Sequence, residues 1–123
     1  MRILESAENY LETILQLTLK NGTVRSIDIA NELNFSKPSV SVAMKKLRKN
    51  GYLEVSPAGL ITLSEKGMTI ANTMNERHVL LREWLISLGV DENTAANDAC
   101  RIEHVISEET FEAIKNNVNI VLP

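Results

Sequence analysis

A chain of 123 residues is the size of one domain, or of a small domain with a short appended one, and 44% hydrophobic content is enough to build a core. A formal net charge of -3 argues against a uniformly basic nucleic-acid binder, and a single cysteine excludes an internal disulfide. Apolar runs of only a few residues, with acids in the opening MRILESAENYLE, exclude a membrane span or a signal peptide, so a soluble cytoplasmic protein is expected.

Ser6, Ala7 and Glu8 followed by Tyr10, Leu11, Ile14 and Leu15 predict an amphipathic first helix that stops at Asn21-Gly22. A shorter second helix is expected with Ser26 as its N-cap and Ile27, Ala30 and Leu33 on one face, ending at Asn34-Phe35. The third opens at Ser36, carries Pro38 in its first turn where a missing N–H costs nothing, and runs through Val40, Ala43, Met44 and Leu47 to Asn50-Gly51. YLEVSPAGLITL then has two short apolar runs about Pro57-Ala58-Gly59, which is hairpin chemistry. From Ser64 onward the pattern is helical. Ser64 caps a long helix carrying Met68, Ala71, Met74, Val79, Leu81, Leu85 and Leu88 up to Gly89, Asp91 begins another, and Ser107-Glu108-Glu109 begins a last one through Phe111 and Ile114. Charge and element type both change near residue 64, which divides the chain into residues 1–63 and 64–123.

The charge is segregated. Residues 20 to 50 hold seven Lys or Arg against Asp28 and Glu32, a balance of +5, so the remainder carries -8. Within that basic segment, a short helix, a tight turn and a second helix beginning Ser-Lys-Pro-Ser form a helix-turn-helix pattern, and the hairpin behind it makes the pattern winged. Arg25, Ser36, Lys37, Pro38, Ser39, Ser41, Lys45 and Lys46 are the candidate DNA-contacting residues. Small hydroxyl side chains at a helix N-terminus can approach phosphates or base edges closely, and Lys45, Lys46, Arg48 and Lys49 lie further along the same helix. Val42 offers only an apolar contact, so direct base readout is expected to be sparse. A solvated face on an ordinary three-helix core is the alternative.

NDACRIEHVIS, residues 97–107, holds the only cysteine. At about 100° per residue, Cys100, Glu103 and His104 fall within roughly 100° of arc, whereas Ala95, Ala99, Ile102 and Ile106 cluster some 120° away. The trio is therefore expected off the core stripe. Thiolate, carboxylate and imidazole on adjacent turns can converge on a divalent transition metal, with His78, the only other histidine, as a further donor. A chance juxtaposition and a Cys–His catalytic pair are the other readings. No Gly-rich nucleophile turn accompanies the pair, so no enzyme is expected.

Taken together, ENYLE near the N-terminus, RHVLL after the wing and NDACRIEHVIS resemble the iron- and manganese-dependent repressors of the diphtheria toxin repressor family, over nearly the whole chain. The resemblance implies a mainly α fold with a small β-hairpin wing: a winged helix-turn-helix followed by a helical metal-binding and dimerisation region. It implies a homodimer that binds a double-stranded operator when loaded with Fe(II) or Mn(II) and represses metal-homeostasis genes, with no role at a membrane. Cys100, Glu103 and His104 then match the metal-binding helix, His78 the ligand on the long helix, and Glu12 a first-helix ligand of the manganese-responsive branch. Asn9 stands where the family places Met or Asp. Arg82 and Ala96 occupy ancillary-site positions in the iron-responsive branch, which implies a second site that is absent or rearranged. A short form of the family, without the SH3-like domain that longer members append, is expected. With a thiolate in the set, Co(II) and Zn(II) join Fe(II) and Mn(II) as candidate cofactors. The alternative is a metal-independent winged-helix regulator with a redox-sensitive Cys100.

Overall fold

The computed structural model describes residues 5–118. Six helices and one two-stranded antiparallel sheet follow in the order α1 (Glu5–Asn21), α2 (Ser26–Leu33), α3 (Lys37–Lys49), β1 (Leu53–Val55), β2 (Ile61–Leu63), α4 (Glu65–Ser87), α5 (Glu92–Val105) and α6 (Glu108–Asn117). The expected mainly α fold with a hairpin wing is what forms. Two compact units are present, Met1–Asn72 and Thr73–Pro123, and α4 supplies residues to both. Among the described residues no helix is long and apolar enough to cross a membrane.

The first unit is organised around a core of Leu11, Ile14, Leu15 and Leu17 from α1, Ile29 and Ala30 from α2, Val40, Met44 and Leu47 from α3, Leu53 and Ile61 from the hairpin, and Ala71 from α4. The spacings explain the choice. Val40, Met44 and Leu47 recur at four and three residues, so one face of α3 is buried and the opposite face is left to solvent. Asn34 ends α2 in the left-handed conformation at φ 57, which an asparagine tolerates, and Ser36 then caps α3 by accepting from the Ser39 N–H at 3.3 Å. The hairpin pairs Leu53 with Leu63, Glu54 with Thr62 and Val55 with Ile61, and Gly59 turns it with φ +86.

One expected cap is different. Ser26 lies inside α2, and Arg25 is the N-cap, because the Asp28 carboxylate reaches back to accept from the Arg25 N–H at 2.8 Å. A carboxylate three residues in satisfies the same exposed donor that a serine cap leaves open.

Gly67 sits in the first turn of α4 and is buried. Its Cα faces the main chain of Tyr52, so that an added Cβ would run into the Tyr52 carbonyl oxygen. That oxygen also accepts from the Ser64 N–H at 3.1 Å, while the Ser64 hydroxyl donates to the Gly51 carbonyl at 2.6 Å and accepts from the Gly67 N–H at 3.1 Å. Helix start and strand start are therefore locked backbone to backbone.

In the second unit, Met74, Leu80 and Leu81 of α4, Ala95 and Ala99 of α5 and Phe111 of α6 are buried. Leu88, expected on the apolar face of the long helix, lies one residue beyond its end and is 64% exposed. Asp91 and Ser107 cap α5 and α6 as expected. On the surface, Lys115 donates to Glu76 at 2.8 Å, and this hydrogen bond, aided by the Glu76 charge, raises the Lys115 pKa above its ordinary value.

Candidate metal centre and nucleic-acid interface

In the second unit, α4 and α5 bring four potential ligands together. Cys100, Glu103 and His104 each offer a donor atom within 4.8 Å of the others, as three residues on successive turns of one helix should. His78 approaches from α4, its Nδ1 lying 3.6 Å from Oε2 of Glu103, and His104 Nε2 lies 3.6 Å from Oε1 of the same carboxylate. One carboxylate thus has an imidazole at each oxygen.

The trio was expected off the core stripe, and the structure corrects this. Glu103 is fully buried, and the His104 side chain is only 2% exposed. The reason is visible in the spacing: Ala95, Ala99 and Glu103 recur every four residues, so Glu103 continues the buried line that the two alanines begin. Ile102 and Ile106 are only partly buried beside it. A buried carboxylate must be paired or must bind a cation, since isolated charge in a low-dielectric setting is costly. Two imidazoles and a half-buried thiol supply further soft and borderline donors, so the donor set fits a divalent transition metal far better than calcium or magnesium.

The two first-helix candidates belong to the first unit. Glu12 is buried on α1, and Asn9 is half-buried one turn earlier, with its carbonyl accepting from the Thr13 hydroxyl at 2.8 Å. Arg82 forms an ion pair with Glu83 at 3.0 Å.

Arg77 is the residue that the sequence reading overlooked. Its Nη1 donates to the carbonyls of Glu103 and Ile106, at 3.1 Å each, and its guanidinium lies 5.5 Å from the centre of the Phe111 ring. A signal was available: α5 ends at Val105 with no glycine behind it, so its last carbonyls need donors from elsewhere.

All eight candidate DNA-contacting residues are exposed in the first unit. Lys37, Ser41 and Lys45 lie on one solvent face of α3, and Val42 beside them is 62% exposed. Two of the serines are used locally as well. Ser36 donates its hydroxyl to that of Ser39 at 2.8 Å while capping the helix, so both are held at its N-terminus. Arg25 donates from Nη1 to the Ala58 carbonyl at the wing turn, which ties the wing to the start of α2.

A winged helix-turn-helix with a basic outer face, together with a helical unit that gathers a thiol and two imidazoles about a buried carboxylate, defines a DNA-binding protein of the metal-responsive class. The sequence matches the iron dependent repressor N-terminal DNA binding domain over residues 2–60 and the iron dependent repressor metal binding and dimerisation domain over residues 64–120, and the chain belongs to this family. It is 36% identical over 113 residues to an uncharacterized HTH-type transcriptional regulator of Methanocaldococcus jannaschii, covering 90% of each chain. It is 34% identical over 116 residues to the HTH-type transcriptional regulator MntR of Lysinibacillus sphaericus, covering 94% of this chain and 84% of that one. Among solved structures, a manganese-dependent transcriptional repressor in complex with manganese superposes with a TM-score of 0.79 at 26% identity, over 89% of this chain and 51% of that chain. The chain thus spans about half the length of that solved relative.

Proposed function

We propose that the protein is a cytoplasmic, homodimeric transcriptional repressor of metal-homeostasis genes that binds operator DNA under the control of a divalent transition metal. The observation that carries this reading is the convergence of Cys100, Glu103 and His104 on one point, with His78 against the same buried carboxylate. Those four residues would hold the ion, with Glu12 and Asn9 of α1 as the further ligands. Such an ion supplies fixed positive charge that ties helices together. An ion held there would tie α4 to α5 and couple metal binding to operator binding. The thiolate favours Fe(II), Co(II) or Zn(II) over Mn(II). In the DNA-binding unit, Lys37, Lys45 and Lys46 would neutralise phosphates, Ser36, Pro38, Ser39 and Ser41 would pack the N-terminus of α3 into the major groove, and Arg25 would steady the wing.

The test is titration of a duplex, selected from a random-sequence pool in the presence of the tightest-binding metal, with and without that metal at fixed salt. Tighter binding with metal, by roughly the 5- to 150-fold typical of such coupling, is expected. Equal affinity despite full metal occupancy would remove the switch.

The DNA surface has its own test. Changing Lys45 and Lys46 together to Ala is expected to reduce the steepness of log Kd against log salt by about two, since each neutralised phosphate contributes close to one unit of slope. An unchanged slope would mean that DNA is bound elsewhere.

Assembly is tested separately. Trp84, Ile114 and Val118 line an open cavity of about 520 Å³ on the second unit, and Leu85 is only half-buried. Apolar surface of this kind supports a two-fold dimer. Light scattering at tens of micromolar should give twice the chain mass, and operator half-sites should lie about one helical turn apart. A monomer with and without metal would exclude the proposed mechanism.

A further inference from the structure

We infer that Arg77 is a positioning residue for the metal centre, acting on it through the main chain of Glu103; the inference rests on the metal-binding reading above. Glu103 presents its side chain to His78 and His104, and its main-chain carbonyl is among the last of α5, beyond the reach of the helix's own donors. Arg77 fills that need. Nη1 bridges the Glu103 and Ile106 carbonyls, so the final turn of α5 and the residue that ends it are held by one nitrogen. Its positive charge lies at the negative end of the α5 dipole, where a cation is favoured.

Arg77 is also the residue immediately before His78 on α4. The clamp and one ligand thus leave the same turn of α4, and the clamp grips the backbone of the ligand that His78 faces. The register of α5 against α4, and with it the 3.6 Å separation of His78 Nδ1 and Glu103 Oε2, is set by that grip. A metal site tolerates ligand displacements of only about 0.2 Å, so a fixed backbone at Glu103 matters more here than at an ordinary helix end.

One further contact points the same way. The Phe111 ring lies 5.5 Å from the guanidinium, within cation–π range, and anchors it to α6. The Nε atom, by contrast, is buried with no hydrogen-bond partner among the described residues.

The experiment compares Co(II) affinity and the thiolate-to-Co(II) absorption band in wild type, Arg77→Met, Arg77→Lys, Lys115→Met and Glu103→Gln, under reducing conditions. It is run at a temperature where the metal-free variants retain the wild-type circular dichroism. Arg77→Met is expected to weaken Co(II) about 10- to 100-fold, as loss of an outer-shell partner does, and to shift the band. Arg77→Lys, which keeps the charge and can donate to one carbonyl, is expected to recover part of the affinity, and it carries the test if the methionine variant does not fold. Lys115→Met, which breaks the exposed tie from α6 to Glu76, should leave Co(II) binding unchanged and so separates positioning from general loosening. Arg77→Met and Arg77→Lys both binding Co(II) within twofold of wild type, while Glu103→Gln loses it, would overturn the role of Arg77 alone. Glu103→Gln binding Co(II) as tightly as wild type would overturn the metal centre, and the role of Arg77 with it.

Discussion

With Cys100 changed to Ala, the protein is expected to lose affinity for Co(II) and Zn(II) by more than roughly 100-fold, since removing a ligand costs more than the 10- to 100-fold of an outer-shell change. Operator binding should then no longer respond to either metal, while weak, salt-sensitive binding to unselected DNA, which we assign to the lysines of α3, should persist. Cys100→Glu should behave differently. A carboxylate is a harder donor than a thiolate, so this variant keeps a complete ligand set and moves preference toward Mn(II). Thiol coordination also releases a proton, so wild-type affinity should rise with pH over the range where the free thiol is protonated, and this dependence should weaken in Cys100→Glu. Calorimetry with each metal at two pH values reads all of these effects. If Cys100→Ala binds Zn(II) as tightly as wild type, the thiol is not a ligand and the centre is built from other residues.

Gly67→Ala is expected to destabilise the first unit by about 3 kcal/mol, near the upper end of the usual cost of overpacking. The sign is informative, because helix propensity alone would make the change favourable by about 1 kcal/mol. Steric conflict wins because the atom in the way is the Tyr52 carbonyl oxygen, which cannot retreat without releasing its bond from Ser64. A side chain could rotate aside; this backbone is held on both flanks. Thermal unfolding followed by circular dichroism should show the midpoint falling by roughly 10 °C or more. A midpoint equal to or above that of wild type would show that α4 and the start of β1 are less tightly joined than described.

Much of the architecture was legible because its causes are local. Ser36, Ser64, Asp91 and Ser107 mark helix starts, since a cap needs only its own next three residues. Ser26 failed as a cap by the same local logic: the Asp28 carboxylate accepts from the Arg25 N–H and so starts the helix with Arg25 as its cap. The basic face of α3 followed from the spacing of Val40, Met44 and Leu47, which dictates what is left outside.

The candidate centre divides differently. That Cys100, Glu103 and His104 share one side of a helix was determined by the sequence itself, because 3.6 residues per turn leaves no other arrangement once the segment is helical. That Glu103 is buried, that His78 meets it and that Arg77 holds its carbonyl were decided only by the tertiary structure. Those contacts span 25 and 26 positions in the chain. Helical periodicity says which residues share a face, but not which face a neighbouring helix will cover. That choice is made by whatever comes to cover α5, and it falls on the line of Ala95, Ala99 and Glu103, all three of which are buried.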